Sequence, residues 1–236
     1  MQPYELMDFN FQIAIPETVQ LLQEVVKPNL PWAEDHFQER VGGAPLNPPP
    51  SEAWWPYAVK GNEAHKANEQ FSHTYPERFW PRFANEEGAR PNGRQVYVPH
   101  NGIRYEYGDL NDVIKLLKRE PTTRQAFLPV WFPEDTGAAY GQRVPCTLGY
   151  QFNIREGFLY ITYFIRSCDY MRHFRDDVYM ACRLAQWISP VVNAVPVRLT
   201  MHIVSFHIFE GDRAALQQRV NLANKAKNDR LLTGWY

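Results

Sequence analysis

Residues 147–169, TLGYQFNIREGFLYITYFIRSCD, carry the pattern from which the fold is best predicted. Two runs of aromatic and β-branched residues, 150–154 and 158–165, are separated by Arg155-Glu156-Gly157. Such runs joined by a short glycine-containing turn are typical of a β-hairpin. The sequence therefore predicts an antiparallel strand pair, with the polar residues 166–169 at the end of its second strand.

The segments around this hairpin predict further regular structure. Residues 176–192 predict a buried helix, 197–209 alternate like a long strand, and a polar helix is expected from Arg213 onward. On the N-terminal side, residues 109–119 predict an amphipathic helix capped by Asp109, and a short strand is predicted over 126–132.

The N-terminal part of the chain has weaker patterns. Residues 17–26 predict a helix, whereas the proline- and glycine-rich residues 27–50 predict a loop, after which Ser51 is expected to cap a short helix. Residues 61–104 predict short helices and loops. Because helices precede strands, with one helix between later strands, the order favours a single α+β domain over residues 1–236 with an antiparallel or mixed sheet.

Composition excludes several classes of function. The 236 residues contain 25 Lys and Arg against 26 Asp and Glu, a net charge of −1, which argues against a nucleic-acid binder. A small phosphorylated ligand, which needs only a few local cations, remains compatible. No apolar run approaches a membrane span, and the first residues, MQPYELMDFNFQ, lack the basic start of a signal peptide. The three cysteines have no metal-ligand spacing, so a cytoplasmic protein without a metal is predicted.

Two segments near the predicted hairpin could carry chemistry. Cys146 follows Pro145 just before the first strand, where a thiolate could act as a nucleophile if a nearby cation lowered its pKa. Arg166 and Ser167 end the second strand and could bind an oxyanion. Taken alone, each also fits a structural role: a buried apolar cysteine, or a surface salt bridge.

Three further positions are equally ambiguous when each is taken alone. Asp177 begins the predicted long helix, where a carboxylate commonly caps the helix and complements its dipole. His207 lies in a strand, where a histidine is usually only hydrogen-bonded. Arg124 follows a helix end, where a solvated charge is common.

In their order and spacing these residues resemble the thymidylate synthase superfamily, most closely its (deoxy)cytidylate 5-hydroxymethyltransferases. The resemblance is strongest over residues 109–210 and weaker over 40–108. The segments that carry it are Pro145-Cys146-Thr147 with Gln151-Phe152, Arg166-Ser167-Cys168-Asp169, His173 to Asp177, Phe206-His207-Ile208-Phe209, Glu120 to Gln125, Glu52 to Trp55, and, faintly, Phe79-Trp80-Pro81-Arg82-Phe83.

This resemblance implies a fold, a reaction and partners. The implied fold is a mixed sheet with flanking helices, forming a homodimer packed through its sheets. The implied reaction begins when Cys146 adds to C6 of a pyrimidine nucleotide, so that C5 can attack the one-carbon unit of 5,10-methylenetetrahydrofolate. The partners implied are therefore a pyrimidine nucleoside monophosphate, a folate and a second copy of the chain, with no metal, nucleic acid or membrane.

The resemblance also implies roles for individual residues. Glu52 would organise the catalytic water, and His207 would contact the sugar. The residues implied for phosphate binding are Arg40, Arg166, Ser167 and, from the partner subunit, the residue equivalent to Arg124. Asp169 is implied in both nucleotide and folate binding, and Trp80 in folate binding.

Asp177 is the departure that matters most, because thymidylate synthases carry Asn at this position. An amide offers the donor and the acceptor that match uracil, whereas an ionised carboxylate accepts from N4–H and from a protonated N3 of cytosine. We therefore expect a cytosine nucleotide, dCMP or CMP, as the substrate. Water addition, giving the 5-hydroxymethyl nucleotide, is expected because the C-terminal residues do not match the family's apolar lid. A C5-methylase, a uracil-nucleotide enzyme and a non-catalytic nucleotide-binding module remain as alternatives.

Overall fold

A five-stranded mixed sheet lies at the centre of the computed structural model, which describes residues 4–57, 66–67, 69–81, 108–133, 135 and 143–233. The strand order is β1-β7-β6-β5-β4, and β6 and β7 are parallel whereas the other neighbours are antiparallel. The strands are β1 (Tyr4–Ala14), β2 (Lys66–Ala67), β3 (Gln70–Phe71), β4 (Phe127–Pro129), β5 (Thr147–Arg155), β6 (Phe158–Asp169) and β7 (Val195–Ile208), of which β2 and β3 form a separate small hairpin.

Helices surround this sheet, and those over Leu110–Arg119 and Phe174–Val192 pack directly against it. The α-helices are α1 (Val19–Val26), α2 (Trp32–Val41), α3 (Tyr75–Phe79), α4 (Leu110–Arg119), α5 (Phe174–Val192) and α6 (Arg213–Thr233), and the 3₁₀ helices are Pro50–Trp54 and Glu210–Asp212. The result is an α+β fold, as predicted. The long helix α5 connects the parallel strands β6 and β7, because a parallel pair requires a crossover connection.

The predicted hairpin is confirmed as β5 and β6. Arg155 pairs with Phe158, so the loop contains only Glu156 and Gly157, which have φ values of 53° and 81°. Two successive left-handed residues define the turn that matches the twist of a hairpin. Strand β6 continues to Asp169, which is longer than the apolar run alone predicted.

A close approach between strands explains one glycine in β5. A Cβ atom added to Gly149 would lie 2.7 Å from the carbonyl oxygen of Leu128 and 2.4 Å from the ring of Phe127. The register of the β5–β6 pair also shifts between Thr147 and Gly149. This irregularity directly follows Cys146, so the candidate nucleophile lies where the strand leaves its regular path.

The prediction for α4 is also confirmed. Asp109 accepts a hydrogen bond from the backbone N–H of Asp112 at 3.2 Å, as an N-cap does. Leu110, Val113 and Leu117 are buried along one face of the helix. The spacing of apolar residues and the capping residue were therefore sufficient to predict this helix.

The predictions for the N-terminal part were wrong in three places. Residues 27–50 are not all loop, because Trp32–Val41 forms helix α2 between Pro31 and Gly42. Strand β1 was not predicted. Ser51 does not cap the 3₁₀ helix, because Pro49 holds the cap position and the Ser51 hydroxyl instead donates to Glu39.

The periodicity of α2 is weak for a physical reason. The helix packs against both α3 and α5, and its cavity-facing positions are polar, so no single apolar stripe marks it. Within the predicted loops of 61–104, the structure describes 66–67 and 69–81, where α3 forms. The remaining residues of that range lie outside the described residues.

Candidate active site

One face of helix α2 supplies a wall of the candidate site. Trp32, His36 and Arg40 follow each other at intervals of four residues, which places them on the same side of a helix. All three line a single cavity of about 260 Å³. The guanidinium of Arg40 lies 4.0 Å from the centre of the Tyr75 ring, which belongs to the same wall.

Arg40 is a buried charge without a hydrogen-bond partner for its Nε atom within the described part of the chain. The residue is only 4% exposed. A buried N–H group without a hydrogen-bond partner is costly, so a guanidinium of this kind beside a cavity is typical of a site for an anionic group. The sequence-based assignment of Arg40 to an anion site is compatible with this geometry, although the residue lies on a helix and not in a loop.

The opposite wall comes from the strands. Cys146 precedes β5 and Ser167 lies near the end of β6, and both line the cavity. The backbone N–H of Arg166 donates to the Cys146 carbonyl at 2.9 Å, which joins the two strands at this point. The guanidinium of Arg166 donates to the carbonyls of Pro145 and Val144, so it holds the segment that leads into Cys146.

Two neighbouring aspartates at the start of α5 have different environments. Asp176 accepts two hydrogen bonds of 2.8 Å from the backbone and side-chain nitrogens of Asn29. Asp177 also lines the cavity, and among the described residues its carboxylate accepts one hydrogen bond, from the Cys168 thiol at 3.6 Å. A thiol is a weak donor, so Asp177 retains most of its capacity to bind a ligand.

Burial controls the ionisation of both Cys146 and Asp177. Burial raises the pKa of the Cys146 thiol, while the nearby Arg166 guanidinium opposes this and the Asp177 carboxylate adds to it. Arg166 thus acts in the predicted direction but is outweighed. Burial also raises the pKa of Asp177 to about 7, against the opposing charge of Arg40.

A hydroxyl cluster lies behind Cys146. The Thr147 hydroxyl lies 2.7 Å from the Tyr163 hydroxyl and donates to the Tyr75 hydroxyl at 3.2 Å. Burial raises the pKa values of both tyrosines, so both keep their protons near neutral pH. These hydroxyls form a short relay that ends at the cavity wall through Tyr75.

Glu52 lines the cavity, but its carboxylate is already paired. Its Oε1 atom lies 2.6 Å from the ammonium of Lys66. One carboxylate oxygen of Glu52 is therefore occupied by the Lys66 ammonium. The role of Glu52 in organising a water stays a prediction.

The remaining predicted residues do not line this cavity. Asp169 accepts hydrogen bonds from the backbone of Met171 and Arg172 and forms an ion pair of 2.6 Å with Arg172. His207 pairs with Asp169 across β6 and β7. Arg124 is exposed, away from the cavity of its own chain.

Trp80 occupies a different position from the one its predicted role requires. It is 3% exposed within the core, and its indole N–H donates to the Arg40 carbonyl at 2.9 Å. A folate could not stack on this ring as it is placed here. Trp80 instead supports the end of the helix that presents Arg40.

Several cavity residues were missed by the sequence analysis, His36, Ser51 and Tyr75 among them. The spacing of Trp32, His36 and Arg40 was a usable signal. Thr74 and Glu77 form a capping box with hydrogen bonds in both directions, and this pattern could have predicted α3 and hence the position of Tyr75.

The described residues contain neither a candidate membrane span nor a candidate metal site. None of the helices there is both long and apolar enough to cross a bilayer. Nor does any group of three or more His, Cys, Asp or Glu side chains in those ranges have the arrangement to hold a metal ion.

Comparison with solved structures defines the class of fold. The thymidylate synthase of T4 phage superposes with a TM-score of 0.61 at 14% sequence identity, over 92% of this chain and 71% of the phage chain. At this identity the likeness concerns the fold: a mixed sheet flanked by helices.

Sequence comparison then gives the family. The model of the family "Thymidylate synthase" matches residues 57–231, more than half of the chain. The chain therefore belongs to the thymidylate synthase family. The resemblance over the central block is confirmed at this level.

Curated relatives match the chain at moderate identity. A putative thymidylate synthase of Methanosarcina barkeri is 28% identical over 142 residues, 54% of this chain and 64% of that protein. One of Methanothermobacter thermautotrophicus is 34% identical over 119 residues, 49% of this chain and 52% of that protein. The thymidylate synthase of Fusobacterium nucleatum is 23% identical over 180 residues, 75% of this chain and 62% of that protein. The matches thus span less than two thirds of these relatives' length.

Proposed function

We propose that the protein transfers a one-carbon unit from 5,10-methylenetetrahydrofolate to C5 of a cytosine nucleotide, dCMP or CMP, and that water completes the reaction to give the 5-hydroxymethyl nucleotide. Cys146 adds to C6 and is expelled at the end. Membership of the thymidylate synthase family supports one-carbon chemistry. The assignment of cytosine as the nucleobase, and of water as the final nucleophile, rests on this chain's own residues.

The observation that carries the proposal is the position of Asp177. Its carboxylate lines the same cavity as Cys146 and accepts only the weak Cys168 hydrogen bond within the described residues. A carboxylate there can accept from the N4 amino group of cytosine and share a proton with N3. That proton also stabilises the negative charge that develops on the ring when the thiolate adds to C6.

A uracil nucleotide is the second candidate, and the ionisation of Asp177 favours it. Because the pKa of Asp177 is raised to about 7, a fraction of this carboxyl is protonated near neutral pH. A protonated carboxyl offers one donor and one acceptor, the same pattern that an amide offers to uracil. Cytosine binding is favoured where the carboxyl is ionised.

The nucleotide's phosphate requires cations. Arg40 is the best-placed one, since it is buried beside the cavity with its Nε atom unpaired in the described structure. Ser167 supplies a hydroxyl donor from the same wall. We place Arg166 behind this group and the partner subunit's Arg124 across a homodimer interface formed by the open sheet face. Asp169 and His207 are assigned to the sugar and folate side.

We propose that the pterin of the folate, a planar heterocycle, binds in the same cavity. The rings of Trp32 and Trp55 lie 6.4 Å apart and both line it, which provides aromatic surface for stacking. Bound there, the folate would supply the methylene carbon. We propose a single domain that acts in the cytoplasm without a metal.

Mass spectrometry of the products tests the proposal. The protein is incubated with 5,10-methylenetetrahydrofolate and, separately, dCMP, CMP, dUMP or UMP. A gain of CH2O on a cytosine nucleotide is expected, and comparison of dCMP with CMP identifies the sugar. A gain of CH2 would identify a methylase, and product from uracil nucleotides alone would overturn the role of Asp177.

The substitution Asp177→Asn sharpens this test. Loss of the carboxylate is expected to shift the ratio of kcat/KM values from cytosine toward uracil nucleotides by about 100-fold or more, because mismatched polar groups stay unpaired. Asp176→Asn provides the matched control, since Asp176 is bound to Asn29. An unchanged ratio in Asp177→Asn would contradict the assignment.

A further inference from the structure

We infer that His36 is the general base that takes the proton from the attacking water, and that Glu39 and Ser51 hold its ring for this task. This inference rests on the proposed hydroxymethylation and adds a residue for its final chemical step. It derives from a buried cluster on helix α2 that no sequence motif had indicated.

The cluster has the geometry of an oriented histidine. The Nδ1 atom of His36 lies 3.1 Å from Oε2 of Glu39 and 3.2 Å from the Ser51 hydroxyl. Ser51 donates to the same carboxylate through its backbone N–H at 2.6 Å and its hydroxyl at 2.5 Å. The ring of His36 stacks on Trp32, with centroids 5.1 Å apart.

These contacts fix the tautomer. A carboxylate that faces Nδ1 accepts the proton held there, so Nε2 is left as the acceptor. Burial lowers the pKa of His36 to about 4, which keeps the imidazole neutral and Nε2 free of a proton near neutral pH. His36 lines the cavity and has no hydrogen bond at Nε2 to any residue that the structure describes.

His36 is connected to the nucleophile through one aromatic ring. Its ring lies edge-to-face with Tyr75, with centroids 6.3 Å apart, and the Tyr75 hydroxyl accepts from Thr147, the residue after Cys146. A substrate bound covalently to Cys146 would therefore lie in the cavity between the strand wall and the α2 wall. The C5 substituent and His36 would share this space.

Other candidate bases that line the cavity are less suitable, and the ring of His173, for example, stacks on Trp55 without a hydrogen bond to a carboxylate within the described residues. Glu52 is paired with Lys66 at 2.6 Å, and Asp176 is bound to Asn29. His73 is hydrogen-bonded to the Ser72 hydroxyl and, among the described residues, has no carboxylate hydrogen-bonded to its ring. Of these groups, His36 combines an available acceptor with a carboxylate behind it.

In the proposed step, water adds to the methylene carbon of the covalent intermediate. The Cys146 adduct carries an exocyclic methylene on C5, and the oxygen of water bonds to this carbon as one O–H bond breaks. The proton goes to Nε2 of His36, and the methylene π pair moves into the ring. The electrons then return to form the C5=C6 bond as the C6–S bond breaks, which releases Cys146 as a thiolate.

Two readouts on one substrate isolate this step. With the cytosine nucleotide labelled by tritium at C5, tritium release reports formation of the methylene adduct, while mass spectrometry reports the hydroxymethyl product. For His36→Gln, with enzyme in excess, we expect tritium release within about threefold of wild type and product formation at least about 100-fold slower. Added 2-mercaptoethanol, a stronger nucleophile than water, should trap the same adduct as a thioether.

A second variant and a control complete the design. Glu39→Gln keeps His36 but removes the carboxylate, and should slow product formation about tenfold at unchanged tritium release. Gln38 lies on the exposed side of the same helix, so the variant Gln38→Ala should match wild type in both tritium release and product formation.

The outcomes separate the two proposals. Product formation by His36→Gln at the wild-type rate would overturn the role of His36 and leave the proposed function intact. Loss of tritium release together with product, in a variant with an unchanged melting temperature, would place His36 at an earlier step and also overturn the inference. A wild-type protein that releases no tritium would refute the proposed function itself, and with it this role.

Discussion

The two walls of the cavity are built by different means. The strand wall belongs to β5, β6 and the start of α5, where backbone hydrogen bonds of the sheet and helix fix Cys146, Ser167 and Asp177. The α2 wall belongs to residues 29–57 and 69–81, where side chains hold one another, as Glu39 holds His36 and Ser51. Regular backbone structure thus positions the proposed nucleophile, whereas side-chain networks position the polar groups of the opposite wall.

The largest expected effect comes from the strand wall. Cys146→Ser should lower the rate of product formation by at least about 10⁴-fold, because a hydroxyl at this position is a far weaker nucleophile than a thiolate. Mass spectrometry of the product measures this rate. Cys182→Ala, which changes a buried cysteine of α5 outside the cavity, should retain activity, and residual turnover by Cys146→Ser near the wild-type rate would exclude a covalent mechanism.

The second prediction concerns the pH dependence of stability. Since the pKa of Asp177 is raised from 3.8 to about 7 in the folded state, the native protein binds the extra proton between these values. The free energy of unfolding therefore falls as pH rises from about 4 to about 7, by at most roughly 4 kcal/mol. Asp177→Asn should remove this dependence and be more stable than wild type at pH 8.

Urea denaturation at pH 4.5 and pH 8 measures this difference. The stabilisation by Asp177→Asn should be much smaller at the lower pH, where Asp177 is protonated in the native state. Equal effects at both pH values would show that Asp177 titrates normally in the folded protein.

The third prediction tests the α2 wall. Arg40→Met should raise KM for the nucleotide about 10- to 100-fold, because it removes a charge-assisted contact to the phosphate. It should also raise the melting temperature, since a buried N–H group without a hydrogen-bond partner is lost. Arg183→Met is the matched control. Arg183 of α5 forms an ion pair of 2.9 Å with Glu34 of α2, the helix that carries Arg40, so the loss of Arg183 should lower stability and leave KM unchanged.

The smallest effect is expected at the exposed end of α4. Arg119 and Glu120 form an ion pair of 3.1 Å, with side chains 73% and 53% exposed. Arg119→Ala should change the free energy of unfolding by less than about 0.5 kcal/mol, as measured in urea. A larger loss would mean that the stability of α4 depends on surface charge as well as on its buried apolar face.

The sequence predicted the strand wall well because its local patterns agree with its tertiary surroundings. The turn at Glu156 and Gly157, the Asp109 cap and the helix that carries Asp177 each follow from a short-range rule. The prediction of α2 failed because Pro28, Pro31, Gly42 and Gly43 suggested a loop. The ordering of His36 by Glu39 and Ser51 depends on packing between separate elements, which no local pattern encodes.

The pairing of β1 with β7 has a consequence for how the chain acquires its structure during synthesis. Tyr4 pairs with Ile208, and Ser205 donates a hydrogen bond to Glu5, 200 residues away in the sequence. At usual translation rates, the first strand waits roughly 10–40 s before its partner has been made. During that interval the strand that contains Leu6 and Met7 has no pairing partner. Its apolar side chains and unpaired backbone groups then make the nascent chain a substrate for chaperones.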